Sequence, residues 1–119
     1  MKVAVTSSGK NLDSAVDPRF GRAAYFLIVD TDSLEFEVVD NSDNINAFRG
    51  AGIQAAATIG NKGAEVLLTG FCGPNAFKTL AAANIKVANE ISGTVREAVA
   101  AFKEGKVSFS NSPNVDGHW

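Results

Sequence analysis

Apolar residues along this chain gather in short runs divided by long polar stretches, and the spacing within the runs changes from continuous or alternating to helical. Val3, Ala4 and Val5 are consecutive, so Lys2 to Thr6 reads as a buried strand. Ala24 to Asp30 (AYFLIVD) carries the strongest strand signal, and the turn cluster Thr31, Asp32 and Ser33 follows it. In Leu34 to Asp40, Glu35 and Glu37 alternate with Phe36 and Val38, which marks a one-sided strand whose charges guard a sheet edge. From Ile53 the period lengthens: Ile53, Ala56, Ala57 and Gly60 recur at i, i+3, i+4 and i+7, predicting a helix that ends near Gly63. Glu65 to Thr69 is a further strand around Val66, Leu67 and Leu68. Phe77, Leu80 and Ala81 then share a helical face, with Asn84 suited to close that helix in the left-handed conformation. Ile85 to Ala88 is a last short strand. Thr94 and Glu97 form a capping box for a helix bearing Val95, Ala98, Val99 and Phe102, and Gly105 ends it.

The resulting order, β β β α β α β α, combines an antiparallel start with right-handed βαβ crossovers. It predicts a mixed five-stranded sheet of order 3-2-1-4-5, with the second strand antiparallel to the others and helices on both faces. This three-layer α/β/α arrangement is that of ribonuclease H-like domains. One domain is expected over residues 1–106, and 107–119 reads as a polar surface tail. Two polar, turn-rich stretches interrupt the pattern, Ser7 to Arg22 and Asp40 to Gly52, and loops of that length in a small domain commonly carry function. With strands one and four as central neighbours, the loops after Thr6 and Thr69 meet at the topological switch point, where open α/β sheets bind ligands.

The second of those loops, TGFCGPNAF from Thr69 to Phe77, concentrates the candidate chemistry. A glycine-flanked turn feeding straight into a helix directs backbone N–H groups above the sheet edge, which suits an anion. Pro74 fits the first helical position. Gly70 and Gly73 flank Cys72 with residues tolerant of unusual backbone angles, and a cysteine at a helix N-terminus is placed where a thiolate is stabilised. The alternative is a small buried hydrophobe, the common state of a lone cysteine. Arg19 and Arg22 (RFGR), with Lys10 upstream and Arg49 before Gly50-Ala51-Gly52, would line an anion site together. Taken singly they are solvated loop charges, and the GAG is equally a helix start that needs close packing.

Other chemistries fit poorly. Metal-dependent phosphodiester cleavage needs clustered carboxylates, and neither the first strand nor Val66 to Cys72 has one. Ser7, Ser8, Cys72 and His118 do not make a convincing nucleophile and base, because the single histidine lies next to the last residue. One Cys and one His supply half the ligands of a structural zinc site. Eleven basic against thirteen acidic residues, a formal charge of −2, leave no nucleic-acid footprint. With 119 residues and 45% hydrophobic content the chain can bury one core unaided. The single cysteine and the absence of a long apolar run predict a cytoplasmic protein with no membrane association.

Several stretches resemble one family across almost the whole chain: MKVAVTSSG at the start, RFGRAAYFLIVD (Arg19 to Asp30), GAGIQAA (Gly50 to Ala56), GPNAF (Gly73 to Phe77), IKV (Ile85 to Val87) and GTVREAVAAF (Gly93 to Phe102). The chain is identified on these as similar to the dinitrogenase iron-molybdenum cofactor biosynthesis family, which includes NifX-like and NafY-like proteins and the C-terminal part of some NifB proteins. The resemblance implies a ribonuclease H-like fold without enzymatic activity. It also implies a carrier role for an iron-sulfur or iron-molybdenum-sulfur cluster, bound transiently, with metallocofactor-assembly proteins as partners. The alternative is a scaffold or regulatory interaction module with no metal of its own. Relatives often carry histidine where Arg19 stands, and before GAG where Phe48 and Arg49 stand. On this reading Cys72 is the expected metal ligand, Arg19, Arg22 and Arg49 are charge partners, and Ser7, Ser8, Gly9, Gly50, Gly52, Gly73 and Asn75 complete the cofactor site.

Overall fold

The computed structural model describes residues 1–42 and 50–111. Its strands are β1 (Lys2–Ser7), β2 (Tyr25–Asp30), β3 (Phe36–Asp40), β4 (Val66–Leu68) and β5 (Lys86–Ala88). Among the described residues, helices follow the third, fourth and fifth strands: α1 (Ala51–Asn61), α2 (Pro74–Ala82) and α3 (Val95–Lys103). The sheet order is β3-β2-β1-β4-β5. β2 is antiparallel to both β1 and β3, while β4 runs parallel to β1 and to β5. The expected topology is therefore the observed one, and β1 and β4 are neighbours, with Val5 opposite Leu68.

Strand alternation sends the sheet's side chains into two cores. On one face Ala4, Phe26, Ile28, Leu67 and Val87 pack against Ala55, Ala56 and Ile59 of α1 and Ala76 and Leu80 of α2. On the other, Val3, Val5, Leu27, Val29, Val66 and Leu68 pack against Val95, Ala98 and Val99 of α3. The strands β1, β2 and β4 are thus apolar on both sides, as a covered central sheet requires.

Local detail departs from the sequence reading in three places. Leu34 has a positive φ of 62°, so it closes the turn after β2, and β3 begins only at Phe36. The buried stripe of α1 is Ala51, Ala55, Ala56 and Ile59, leaving Ile53 45% exposed. The small residues of that stripe let α1 lie close to the sheet, and the larger Ile53 faces out. After α3 the chain returns along β5: Val107 packs on the second core, Ser110 N–H donates to Val87 O at 2.7 Å, and Asn89 Nδ2 donates to Ser110 Oγ at 2.9 Å. Residues 107–111 are docked accordingly, although the sequence read them as the start of a surface tail.

Candidate anion-binding site

The carboxyl ends of β1 and β4 set the floor of the site. The Thr6 and Thr69 hydroxyls lie 3.0 Å apart in a buried hydrogen bond, and Thr6 Oγ1 also donates to Asp17 O at 2.6 Å. From there the long loop after β1 divides in two.

Its first half leans toward α3. Ser7 is buried, its hydroxyl donating to Gly9 O at 2.7 Å and accepting from Gly9 N. Ser8 is exposed, and its hydroxyl reaches Ala15 O at 3.1 Å. Val16 N–H donates to Gly93 O and Val95 N–H to Ser14 O, binding residues 8–16 to the N-terminal end of α3. Arg96 Nε donates to Asp13 at 3.0 Å in the same place, and this pairing holds the Asp13 carboxyl below its usual range. Ser8 and Gly9 consequently sit in a flap over the α3 face.

The second half, residues 17–24, crosses to the opposite face and lies over α1 and α2. It is anchored to the Cys72 loop: Phe71 N–H donates to Pro18 O at 2.7 Å, and Phe20 N–H to Phe71 O at 3.2 Å. Any Cβ on Gly70 would stand 2.7 Å from Pro18 Cα and O, so only glycine permits this crossing. Phe20 drives its ring into the core beside Phe26, 5.6 Å between centroids. Next along the loop, Gly21 rests on the first turn of α1, where an added Cβ would meet Gly52 N at 2.8 Å.

That first turn abuts the first turn of α2. A Cβ on Gly52 would lie 2.8 Å from Ala76 Cβ. The N-caps of the two helices are Gly50 and Gly73, and neither has a side-chain capping hydrogen bond. The leading amides of a helix have no intrahelical acceptor, and they carry the positive end of its dipole. Two such ends side by side, under a loop bearing Arg19 and Arg22, form an electropositive cradle of backbone donors. The Arg19 side chain is 47% exposed, Arg22 is half-buried, and Asn75 is exposed in the first turn of α2. Arg49 lies outside the described residues, as does His118.

Cys72 takes the second of its two sequence readings, the small buried hydrophobe. It is fully buried among the residues of the first core, its Sγ within 3.7 Å of Gly73 O, and burial pushes the thiol's pKa up to about 12. The expected stabilised thiolate is replaced by a neutral thiol beneath the loop, because desolvation outweighs the favourable dipole of α2. Of the two glycines flanking Cys72, Gly73 is extended and Gly70 serves close approach, to Pro18 of the crossing loop. Among the described residues, no group of three or more His, Cys, Asp or Glu side chains is placed to hold a metal ion. The cradle suits a ligand that is itself an anion, not a bare cation.

Two residues that shape the site escaped sequence reasoning. Asn41, buried, donates through Nδ2 to Gly21 O and Ala23 O at 3.1 and 2.8 Å. Asp17, also buried, accepts from Arg19 N at 3.1 Å and Ala24 N at 3.3 Å. The Asp-Pro pair at 17 and 18 is a turn signal that would have found the second; nothing in the local sequence marks the first.

Fold and cradle together define a small α/β binding domain built on a ribonuclease H-like sheet. The chain belongs to the dinitrogenase iron-molybdenum cofactor family, whose model matches residues 1–105. The apo form of the orange protein from Desulfovibrio gigas is 48% identical with a TM-score of 0.93, covering 96% of both chains. A Thermotoga protein given a NifB designation is 41% identical with a TM-score of 0.80, covering 96% of this chain and 98% of its own. A protein from Methanocaldococcus jannaschii shares the fold at 19% identity and a TM-score of 0.67 over 95% and 97% of the two chains. None of the curated proteins matches the chain.

Proposed function

We propose that this protein is a non-catalytic carrier for an anionic metal-sulfur cluster, the iron-molybdenum cofactor or an iron-sulfur precursor, which it receives from and passes to other assembly proteins in the cytoplasm. The observation that carries the reading is the pair of uncapped helix N-termini meeting at Gly52 and Ala76 beneath the Arg19–Arg22 loop. Membership of a family described by the iron-molybdenum cofactor supplies the class of cargo, and likeness to an orange protein solved in its apo form is consistent with a removable ligand.

The physical chemistry favours retention through charge and hydrogen bonds. Sulfide or oxo groups at the surface of such a cluster would meet the positive ends of the α1 and α2 dipoles and the exposed Asn75, and guanidinium groups of Arg19 and Arg22 close over them. Gly50 puts no side chain over the end of α1, and the absent Cβ of Gly52 lets the two helix ends meet at Ala76. Ser7 closes the end of β1 beside the floor of the site, whereas Ser8 and Gly9 lie with the flap on the α3 face, away from the cradle. Cys72 supports the loop from below and would reach a metal only after the loop opens. Such weak, distributed contacts suit a cargo that must be handed on.

Anaerobic addition of the iron-molybdenum cofactor, or of the tetrathiomolybdate dianion as a simple metal sulfide, tests this directly. Visible absorption should co-elute with the protein on desalting at low salt and fall away as salt rises. Colour that never co-elutes under reducing conditions removes the carrier reading and leaves a partner-binding module without metal.

A further inference from the structure

The loop that crosses the helix ends is closed by one carboxylate. Asp17 is 8% exposed at the end of β1, and its own backbone is fixed there: its N–H donates to Thr6 O at 2.9 Å, and its carbonyl accepts from Thr6 Oγ1 at 2.6 Å. From that fixed point Oδ1 accepts from Arg19 N at 3.1 Å, and Oδ2 accepts from Ala24 N at 3.3 Å. The two oxygens therefore tie the first and last residues of the segment Arg19–Ala24. Between them lie Phe20, locked into the core, and Gly21, resting on the first turn of α1. Oδ1 also stands 3.9 Å from Arg19 Nε, near enough to bias the guanidinium without neutralising it in a close pair.

A carboxylate beside an anion site repels the anion, and removing it should by charge alone strengthen binding. Its persistence in the buried heart of the loop is explained by geometry. Only an ionised carboxylate accepts from both amides at once, since an asparagine offers a single acceptor atom. We propose that Asp17 is the positioning residue of the anion site, holding Arg19 and the Phe20-Gly21-Arg22 arch in register over the N-termini of α1 and α2. This rests on the carrier reading above, and it makes the opposite prediction to simple electrostatics.

The test is titration of the intact protein with tetrathiomolybdate at low salt, followed by visible absorption, with thermal unfolding of each variant alongside. Wild-type protein that retains no thiomolybdate sinks the carrier reading, and this inference with it. Given wild-type retention, Asp17→Asn should weaken it about tenfold or more, as loss of an orienting partner does at other sites. The loss should be smaller in an Arg19→Ala background, because part of what Asp17 positions is the Arg19 guanidinium. Unchanged or tighter retention in Asp17→Asn, or an equal loss with and without Arg19, overturns the positioning role while leaving the carrier reading standing. Should Asp17→Asn fail to fold, Asp17→Glu keeps the charge and displaces both acceptors by a methylene. Folded Asp17→Glu with wild-type retention overturns the proposal, and weakened retention supports it.

Discussion

The N-terminus of α3 and those of α1 and α2 solve the same problem in opposite ways. At α3 the Thr94 hydroxyl accepts from Glu97 N–H at 3.1 Å while the Glu97 carboxylate accepts from Thr94 N–H at 2.9 Å, and Val95 and Arg96 N–H donate to Ser14 O and Leu12 O, so the leading amides are satisfied within the protein and Glu97 adds a negative charge at the dipole's positive end. At α1 and α2 the caps are glycines, no acidic residue stands in either first turn, and neither N-cap makes a side-chain hydrogen bond to its helix. Both arrangements occur at the same end of one sheet, on its two faces. A self-capped end contributes to stability; a bare one keeps its donors for something else. The contrast locates the site on the α1 and α2 face, and substitutions that transfer one solution to the other face test it.

The largest effect is expected from giving α2 a cap. Gly73 has φ −77° and ψ 171°, the extended conformation of a capping residue, so Gly73→Asp brings no backbone strain. The helix should gain about 0.5–1 kcal/mol from the cap and its charge. Anion retention should fall by roughly a hundredfold, because a like charge is placed in the cradle. A variant of higher melting temperature that still retains thiomolybdate at wild-type affinity would show that the bare helix end is not the site.

Separating the two helix ends comes next. Gly52→Val forces a side chain into space held by Ala76 Cβ, at a cost of about 1–3 kcal/mol of stability, and retention should be lost even where the variant remains folded. Melting and retention unchanged from wild type would mean that the contact yields easily and the cradle does not depend on it.

Cys72 sharpens the comparison from beneath. Cys72→Ser puts a hydroxyl in an apolar site and should destabilise by about 1–3 kcal/mol, with the absorption spectrum of any retained anion unchanged. A changed spectrum would restore Cys72 as a direct ligand. Its raised pKa also gives a direction with pH: the unfolded thiol ionises near its ordinary value, around 8.5, and the folded one only at about 12. The folded state then holds the proton longer, so stability is complete below the unfolded value and declines as pH climbs toward the folded one. Cys72→Ala should remove that alkaline loss, which urea titrations at pH 7 and pH 10 would register.

The sheet was legible because its evidence is redundant: AYFLIVD, the VLL run and the Thr94–Glu97 box each signal an element from neighbouring residues alone. So was the meeting of the loops after Thr6 and Thr69, which follows from topology. What the sequence could not reveal is which way a loop residue faces. Cys72 shows the same motif whether its thiol points to solvent or to Leu80 and Phe20 in the core, and only tertiary packing decides. Likewise Ser8 and Arg19 share one polar stretch, yet the bonds of residues 8–16 to α3 and of 18–20 to Phe71 carry them to opposite faces. Ile53 was assigned to the wrong side of α1 because its period of apolar residues gave alanine and isoleucine equal weight.

The smallest effect belongs to the helix that already has its cap. Thr94→Ala removes the acceptor for Glu97 N–H, while the backbone N–H of residue 94 keeps its bond to the Glu97 carboxylate, and stability should fall by about 1 kcal/mol. Surrounding contacts limit the damage: Val95 and Arg96 N–H remain bonded to Ser14 O and Leu12 O, and Val95, Ala98 and Val99 stay in the core. Thiomolybdate retention should be unaltered, because the one amide released, that of Glu97, belongs to α3 on the far side of the sheet. Melting by circular dichroism and desalting retention on one preparation separate the two quantities. Retention that fell in step with this modest loss of stability would mean that binding reports the stability of the whole fold, and the distinction between a closed helix end and two open ones would lose its functional meaning.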